Sequence, residues 1–206
     1  MTSEHSTPRL ILASSSPYRR LLLARLQLPF EVVAPDIDEQ PHPTETPPQT
    51  AMRPAQEKAA AVAARFADTL VIGSDQVATL DGRQIGKPGT HAKALAQLQA
   101  MRGRRVIFHT ALCLHDSRHA ASRPVQSANI ETAVTFRSLP DALLDAYLRI
   151  ERPYDCAGSA KNEGLGIALI AACESADPTA LTGLPMIALC GMLMHAGMPF
   201  FTGAPA

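Results

Sequence analysis

The sequence has no excess of positive charge and few aromatic residues. Nineteen basic and nineteen acidic residues give a formal net charge of zero, and only 4% of the 206 residues are aromatic, with no Trp. Non-specific nucleic-acid binders carry a basic surface, and single-strand binders add aromatic platforms on which bases stack. The composition therefore argues against a nucleic-acid partner, whereas a small anionic ligand needs only a few cations gathered in one cleft.

Paired cysteines, a signal peptide and an uninterrupted membrane span are also missing. The four cysteines lie far apart without a C-x-x-C pair, which gives no indication of a zinc or redox motif and predicts buried, reduced thiols. No charged segment followed by an apolar one stands at the N-terminus, so we expect a cytoplasmic protein. Gly and Pro interrupt the apolar stretch 181–201, which favours a buried helix over a membrane span.

Lysine is scarce, because fifteen of the nineteen basic residues are arginines. The four lysines are Lys58, Lys87, Lys93 and Lys161. A lysine retained in such a chain indicates a position that needs a compact ammonium rather than a planar guanidinium. Chance is the alternative explanation.

The chain does contain enough apolar residues for a core, since 46% of it is hydrophobic. We expect one domain over 1–206, with 1–8 disordered and the Pro/Thr-rich stretch 40–50 as a surface loop. Apolar periodicity predicts helices and strands in alternation. The predicted helices are 17–28, 54–66, 91–101, 140–150 and 185–195. The predicted strands are 10–13, 30–34, 70–73, 106–114, 127–136 and 166–171, with a hairpin turn at Asp81-Gly82. This mixture predicts an α/β fold with a mixed, twisted sheet flanked by helices.

Residues 14–20 combine three hydroxyl groups, a helix N-terminus and two guanidinium groups within one turn. Each of these groups binds phosphate oxygens, so Ser14, Ser16, Arg19 and Arg20 are candidates for a phosphate site. An ordinary capped surface helix with solvated arginines is the alternative.

Asp75 follows the apolar residues 70–73, and we expect its carboxylate at the end of a buried strand. A carboxylate there can hold a divalent metal or orient a water, and hydrolysis of a phosphoanhydride needs both functions. Lys87 approaches Asp75 only if the hairpin folds back. For Lys58 the alternative to a functional role is an ordinary solvated helix face, and for Glu39 it is a flexible acidic loop.

Five ordered motifs in the sequence resemble those of the Maf family of nucleotide pyrophosphatases. They are the stretch 10–20, Asp38-Glu39, Glu57-Lys58-Ala59, Gly73-Ser74-Asp75-Gln76 and Gly86-Lys87-Pro88. The likeness continues through the motifs at 156–159, 161–166, 177–178 and 181–185. It covers nearly the whole chain from Arg9 onward, and several motifs in the right order are far more specific than any one of them.

The resemblance implies an inosine-triphosphatase-like fold with two lobes around a central cleft. It also implies a hydrolase that cleaves between the α and β phosphates with Mg²⁺ or Mn²⁺. Asp75 is the implied proton acceptor, and we expect the metal at Asp75 and Glu39. Lys58 and Lys87 would offset the developing charge.

The Ser-Asp-Gln and Lys-x-Glu-Gly segments resemble the branch of the family that acts on 7-methyl-GTP rather than on dTTP and UTP. Tyr18, Gln76 and Glu163 are the implied specificity positions, and Tyr18 stands where that branch usually carries Trp. The donor and acceptor inventory suggests that Tyr18 attracts the cationic base, Glu163 accepts from N1 and N2, and Gln76 donates to O6.

Two alternatives to this function remain at the level of sequence. The first is a dTTP or UTP pyrophosphatase of the same fold, and the second is a non-hydrolysing nucleotide-binding regulator of septum formation. The expected partner is a nucleoside triphosphate, with neither nucleic acid nor membrane, and a homodimer is left open.

Overall fold

The computed structural model describes residues 8–118 and 121–201, which build a mixed sheet flanked by helices. The strands are β1 (Arg9–Ala13), β2 (Glu31–Val33), β3 (Thr69–Leu80), β4 (Arg83–Ile85), β5 (Arg105–Asp116), β6 (Val125–Phe136) and β7 (Ile170–Ser175). The helices are α1 (Pro17–Ala24), α2 (Pro47–Ala63), α3 (His91–Met101), α4 (Asp141–Glu151) and α5 (Met186–His195). The predicted disorder at 1–8 lies outside the described residues except for Pro8.

The strand order across the sheet is β2-β1-β3-β5-β6-β7, with β4 paired to β3 as a hairpin. β1 runs parallel to β2 and β3, and the remaining pairs are antiparallel. The hairpin turn is confirmed, since Asp81 and Gly82 both have the positive φ that its tight turn type requires. The predicted α/β class with a mixed sheet is confirmed as well.

Two separate apolar cores lie on the same face of the sheet. The first packs α1 and α5 against Leu12 and Ile72, and the second packs α3 and α4 against Ala78 and Phe108. Side chains of a strand alternate between faces, so Ser74 and Gln76 of β3 lie on this face between the two cores. This gives the predicted arrangement of two lobes around a cleft.

Helix α2 covers the opposite face and lies almost directly on the backbone of β3. Its contact residues Ala51, Ala55 and Ala59 are fully buried and small. A Cβ at Gly73 would come within 2.1 Å of the Ala55 carbonyl oxygen, so only glycine fits here. Because the helix lies so close to the strand, the side chain of Lys58, one residue before Ala59, is brought beside β3.

The start of α2 differs from the prediction, because residues 47–50 of the expected loop are helical. The side chain of Gln49 accepts a hydrogen bond from the Thr46 backbone N–H at 2.9 Å, and Pro47 fits the first turn of the helix. The helix continues through Pro54, whose ring is buried. An interior proline costs a helix roughly 3 kcal/mol, so α2 depends on its packing against the sheet to remain helical here.

Two further boundaries were predicted wrongly, and so was the burial of most cysteines. Helix α1 ends at Ala24 rather than 28, and the chain then turns at Gln27 with a φ of 55°. Residues Leu165–Leu169 form a 3₁₀ turn, and β7 begins only at Ile170. Among the cysteines Cys113 is buried, but Cys173 is exposed on β7. No helix in the described part of the chain is long and apolar enough to cross a membrane.

Candidate active site

The candidate site is a gap in the sheet beside β3. β1 pairs with β3 only as far as Gly73, and β4 pairs with it only from Ala78 onward. Residues 74–77 therefore have β5 on one edge and, within the described chain, no strand on the other. Asp75, Gln76 and Val77 line a cleft of about 900 Å³, a volume within the range of small-molecule sites.

Asp75 lies in the middle of β3 and not at the end of a strand, so that expectation was wrong. The polar triplet 74–76 suggests a strand end because it interrupts two apolar runs. Backbone pairing with β5 continues across it, with Asp75 opposite Ala111 and Gln76 opposite Thr110. The carboxylate reaches the cleft because the neighbouring strand β1 has ended.

Lys58 joins two carboxylates at the floor of this cleft. Its Nζ lies 2.8 Å from Asp75 Oδ1 and 2.8 Å from Glu39 Oε1. The side chain of Lys58 is only 4% exposed, whereas those of Asp75 and Glu39 are 18% and 49% exposed. A buried ammonium therefore holds two carboxylates that remain open to a ligand, and the burial of Lys58 excludes a solvated helix face.

The pKa of Glu39 also depends on the other cations of the cleft. Burial raises the pKa of its carboxyl group, but the hydrogen bond and charge of Lys58, together with Lys87 and Arg19, lower it overall. Lys87 is exposed and lines the cleft, as a hairpin folded back toward Asp75 requires. The predicted proximity of Lys87 to the acidic pair is thus present.

Arg19 is held inside the cleft while Arg20 is exposed and does not line it. Arg19 Nε donates to the Gly183 carbonyl oxygen at 2.8 Å, and Nη1 lies 3.5 Å from Ser14 Oγ. Burial lowers the pKa of Arg19, and the negative charges of Asp75 and Glu39 offset part of this effect. A guanidinium remains cationic under such a shift.

Ser14 and Ser16 both line the cleft at the start of α1. Ser16 caps the helix, since its hydroxyl accepts from the Arg19 N–H at 3.4 Å, and Ser14 Oγ accepts from the Ser16 N–H. The first N–H groups of a helix have no partner within it and favour anions. Ser14, Ser16 and Arg19, three of the four residues predicted to bind phosphate, therefore lie together at the cleft, whereas Arg20 lies apart from them.

The turn at residues 180–183 connects the parts of the site. Its carbonyl oxygens accept hydrogen bonds from Ser74, Arg19, Gln76 and Thr110. Its Thr182 hydroxyl accepts from Asn162, which lies next to Glu163. Sequence reasoning identified the motif 181–185 but missed its role as the shared partner of these side chains.

The amide nitrogen of Gln76 is fully occupied by protein acceptors. It donates to Thr110 Oγ1 at 2.9 Å and lies 3.1 Å from each of the carbonyl oxygens of Ala180 and Leu181. The amide oxygen has no protein partner in the described chain and is not a buried unsatisfied atom. The expected donation from Gln76 to a base O6 therefore does not fit this geometry.

Tyr18 and Glu163 line the same cleft as Gln76, and Lys161, two residues before Glu163, lies beside the Tyr18 ring. Lys161 Nζ lies 5.7 Å from the centroid of the Tyr18 ring and 2.9 Å from Glu151 Oε1. Glu151 also accepts from the Leu165 N–H at 2.8 Å. The segment that carries Glu163 is thus fixed at both ends by Glu151, a residue that sequence reasoning missed.

Comparison with known proteins identifies the family of the chain. A family model described as Maf-like protein matches residues 9–196, which is most of the chain. The chain belongs to the Maf family. Within the described part of this Maf protein, no group of three or more His, Cys, Asp or Glu side chains is placed to hold a metal ion by itself.

Curated relatives of this Maf protein match along almost their whole length. A protein of Cupriavidus metallidurans is 65% identical over 97% of this chain and 98% of its own. A protein of Burkholderia pseudomallei is 67% identical over 98% of this chain and 93% of its own. Both are named 7-methyl-GTP pyrophosphatase. The family predicted from the motifs is therefore confirmed.

Two solved structures also resemble this Maf protein, each with a TM-score of 0.42. One is a HAM1 protein from Coxiella burnetii, 18% identical, covering 65% of this chain and 75% of its own. The other, a nucleoside-triphosphatase or dITP/XTP pyrophosphatase from Mycobacterium abscessus, is 16% identical and covers 93% and 98%. At this TM-score the likeness carries no argument about function.

Proposed function

We propose that this chain hydrolyses 7-methyl-GTP to 7-methyl-GMP and diphosphate. The observation that carries the proposal is the buried Lys58 ammonium, which holds Asp75 and Glu39 in the cleft between Arg19 and Lys87. The names of relatives that are 65% and 67% identical support 7-methyl-GTP as the substrate.

The phosphate end of the cleft supplies positive charge from three different elements. Arg19 comes from α1, Lys58 from α2 and Lys87 from the segment after β4. A triphosphate carries several negative charges that repel an attacking water, and bound cations reduce this repulsion as the transition state forms. Arg19 is already oriented by Gly183 and Ser14, so little of its freedom is lost on binding.

The carboxylates fit a divalent cation such as Mg²⁺ or Mn²⁺. Each of Asp75 and Glu39 uses one oxygen for Lys58 and keeps its second oxygen free of protein partners in the described chain. Mg²⁺ is usually bound by one or two carboxylates together with substrate phosphates and water. A cation bound there would polarise the phosphates and lower the pKa of a bound water.

Asp75 is the catalytic residue in this proposal. Lys58 fixes the carboxylate by its bond to Oδ1, which leaves Oδ2 directed to the cleft. Oδ2 can accept the proton of the water that attacks the α phosphorus, or it can bind the cation. Both roles need the same oxygen, so replacement of Asp75 by Asn removes either one.

The base end of the cleft is formed by Tyr18, Gln76 and Glu163. An aromatic ring attracts the positively charged 7-methylguanine, and carboxylate oxygens accept from its N1 and N2 hydrogens. Burial raises the pKa of Glu163, and Glu151 adds to this effect, while a backbone hydrogen bond and Lys161 oppose it. These three residues are proposed as the specificity group.

A substrate panel scored by diphosphate release tests the proposal. With Mg²⁺ or Mn²⁺, we expect a higher kcat/KM for 7-methyl-GTP than for dTTP and UTP. Preference for dTTP or UTP would assign the chain to the other branch of the family. Tight binding without metal-stimulated turnover would favour the non-hydrolysing regulator. The cytoplasmic location and a homodimer remain predictions from the sequence.

A further inference from the structure

The amide of Gln76 has one orientation that its surroundings accept. Its Nε2 faces three acceptors, which are the hydroxyl of Thr110 and the carbonyl oxygens of Ala180 and Leu181. Turning the amide over would place its oxygen against two carbonyl oxygens that have no hydrogen to donate. Hydrogen-bond partners of this kind decide which end of an amide is nitrogen.

The hydroxyl of Thr110 can only accept a hydrogen bond from the Gln76 amide. Thr110 is fully buried on β5, directly opposite Gln76, and its Oγ1 donates its only hydrogen to the Ala180 carbonyl oxygen at 2.9 Å. The same oxygen can then only accept from Gln76. Thr110 therefore holds both the turn at 180–183 and the amide nitrogen, and it leaves the Gln76 oxygen facing the cleft.

We propose that Thr110 is a positioning residue that makes Gln76 a hydrogen-bond acceptor for the base. The inference rests on the proposed hydrolysis of 7-methyl-GTP and deepens it. With Gln76 and Glu163 both acting as hydrogen-bond acceptors, the pocket binds a base edge that carries hydrogen-bond donors. Guanine offers the N1 hydrogen and the 2-amino group, while hypoxanthine lacks the amino group.

A site built to accept hydrogen bonds discriminates against an analogue that lacks the donor, because a polar group in the pocket is left unpaired. We therefore expect the chain to prefer 7-methyl-GTP over 7-methyl-ITP by about 10-fold or more in kcat/KM, the size of one lost hydrogen bond to a buried partner. Removal of the Thr110 hydroxyl should weaken this preference through KM, since Thr110 does not touch the phosphates.

The test compares kcat and KM for 7-methyl-GTP and 7-methyl-ITP in the wild type and in Thr110→Val. Valine keeps the β-branched shape of threonine in the strand and removes its hydroxyl. Thr110→Ser restores the hydroxyl and should restore the preference. Thr79→Val is the matched control, because Thr79 is buried on β3 and bonds the Ile107 carbonyl away from the cleft.

We expect Thr110→Val to weaken the preference for the 2-amino group, because the amide and the turn at 180–183 each lose a hydrogen bond, with little change in kcat for 7-methyl-GTP. An unchanged preference in folded Thr110→Val, or its equal loss in Thr79→Val, would overturn the inference. If Thr110→Val does not fold, Gln76→Met is tested instead. An unchanged preference for 7-methyl-GTP over 7-methyl-ITP in Gln76→Met would also overturn the inference.

The same experiment separates this inference from the proposed function. A wild-type protein that favours dTTP or UTP over 7-methyl-GTP contradicts the proposed function. A wild-type protein that favours 7-methyl-GTP but does not distinguish it from 7-methyl-ITP contradicts the role of Gln76 and Thr110 alone.

Discussion

Two adjacent residues of β3, Asp75 and Gln76, place different chemical groups on the two faces of the strand. On the face toward α2, Asp75 meets the charged side chains of Lys58 and Glu39. On the opposite face, Gln76 meets the neutral hydroxyl of Thr110 and backbone carbonyl oxygens. Side chains alternate along a strand, so Asp75, the proposed catalytic group, and Gln76, the proposed base-binding group, lie on opposite faces although they are adjacent in the sequence.

The two faces also differ in what supports them. The charged face rests on a helix packed against a strand, with Gly73 allowing the contact. Besides Thr110 of β5, the neutral face rests on the turn at 180–183 and the segment 161–166, which are connections and short 3₁₀ turns rather than long helices or strands. Sites on rigid elements hold reacting groups closely, whereas connecting segments change more readily. We therefore expect the charged face to set kcat and the neutral face to set KM and base preference.

The largest expected effect is that of Asp75→Asn. Loss of the charged oxygen should lower kcat for 7-methyl-GTP by about 10²–10⁴-fold, the range for removal of a catalytic acid or base. Diphosphate release measures the rate, and titration calorimetry should show that the nucleotide still binds. Asp81→Asn, on the exposed hairpin turn, is the control. Near wild-type turnover would remove Asp75 from the mechanism.

Lys58→Ala should have the next largest effect. It leaves two carboxylates facing each other without their ammonium, and kcat/KM should fall on the order of 10²-fold, as for loss of one electrostatic contact in a transition state. Lys93→Ala on α3 removes another of the four lysines and should behave like the wild type. Equal losses in the two variants would show that Lys58 has no special role.

Glu163, the carboxyl group at the base end of the cleft beside the neutral face, can be tested through pH. Its raised pKa means that the carboxylate becomes protonated at a higher pH than an ordinary glutamate as the solution is acidified. The charged acceptor is lost as pH falls through that pKa, so KM for 7-methyl-GTP should rise while kcat changes less. Glu163→Gln should raise KM by about 10-fold and flatten this dependence, because hydrogen bonds to charged groups contribute about 1.5–3 kcal/mol.

The control for Glu163 is Glu174→Gln, an exposed carboxyl group on β7. It should leave the pH dependence of KM unchanged. The division between the two faces would be contradicted if Glu163→Gln lowered kcat and left KM at its wild-type value.

The smallest expected effect is that of Glu151→Gln. The amide oxygen can still accept from the Leu165 N–H, but the charge that faces Lys161 is lost. A partly exposed ion pair contributes about 1 kcal/mol or less, so KM should rise by less than about fivefold with kcat unchanged. Steady-state kinetics with 7-methyl-GTP measure this, and a fall in kcat alone would contradict a positioning role.

The sequence allowed much of the charged face to be predicted, because its residues belong to contiguous motifs. Ser16 and Pro17 start α1, and the Asp81-Gly82 turn returns Lys87 to the cleft, both through local turn chemistry. The position of Asp75 within a continuous strand was not predictable, since it depends on the pairing of β3 with β5 across residues 74–77. That is a matter of sheet pairing between distant segments.

The neutral face was harder to predict because its contacts join distant parts of the chain. Gln76 and the Ala180 carbonyl oxygen are 104 residues apart, and Thr110 lies between them in the sequence. No local pattern indicates which end of an amide meets such partners. The residue type and position of Gln76 could be inferred from a motif, but its role as donor or acceptor required the fold.

The most direct test of the account is a competition assay with 7-methyl-GTP, dTTP and UTP at equal concentrations, with the products identified by mass spectrometry. The account predicts that 7-methyl-GMP and diphosphate form first and that the other two triphosphates are consumed later. Formation of 7-methyl-GDP and orthophosphate, or earlier consumption of dTTP or UTP, would contradict it.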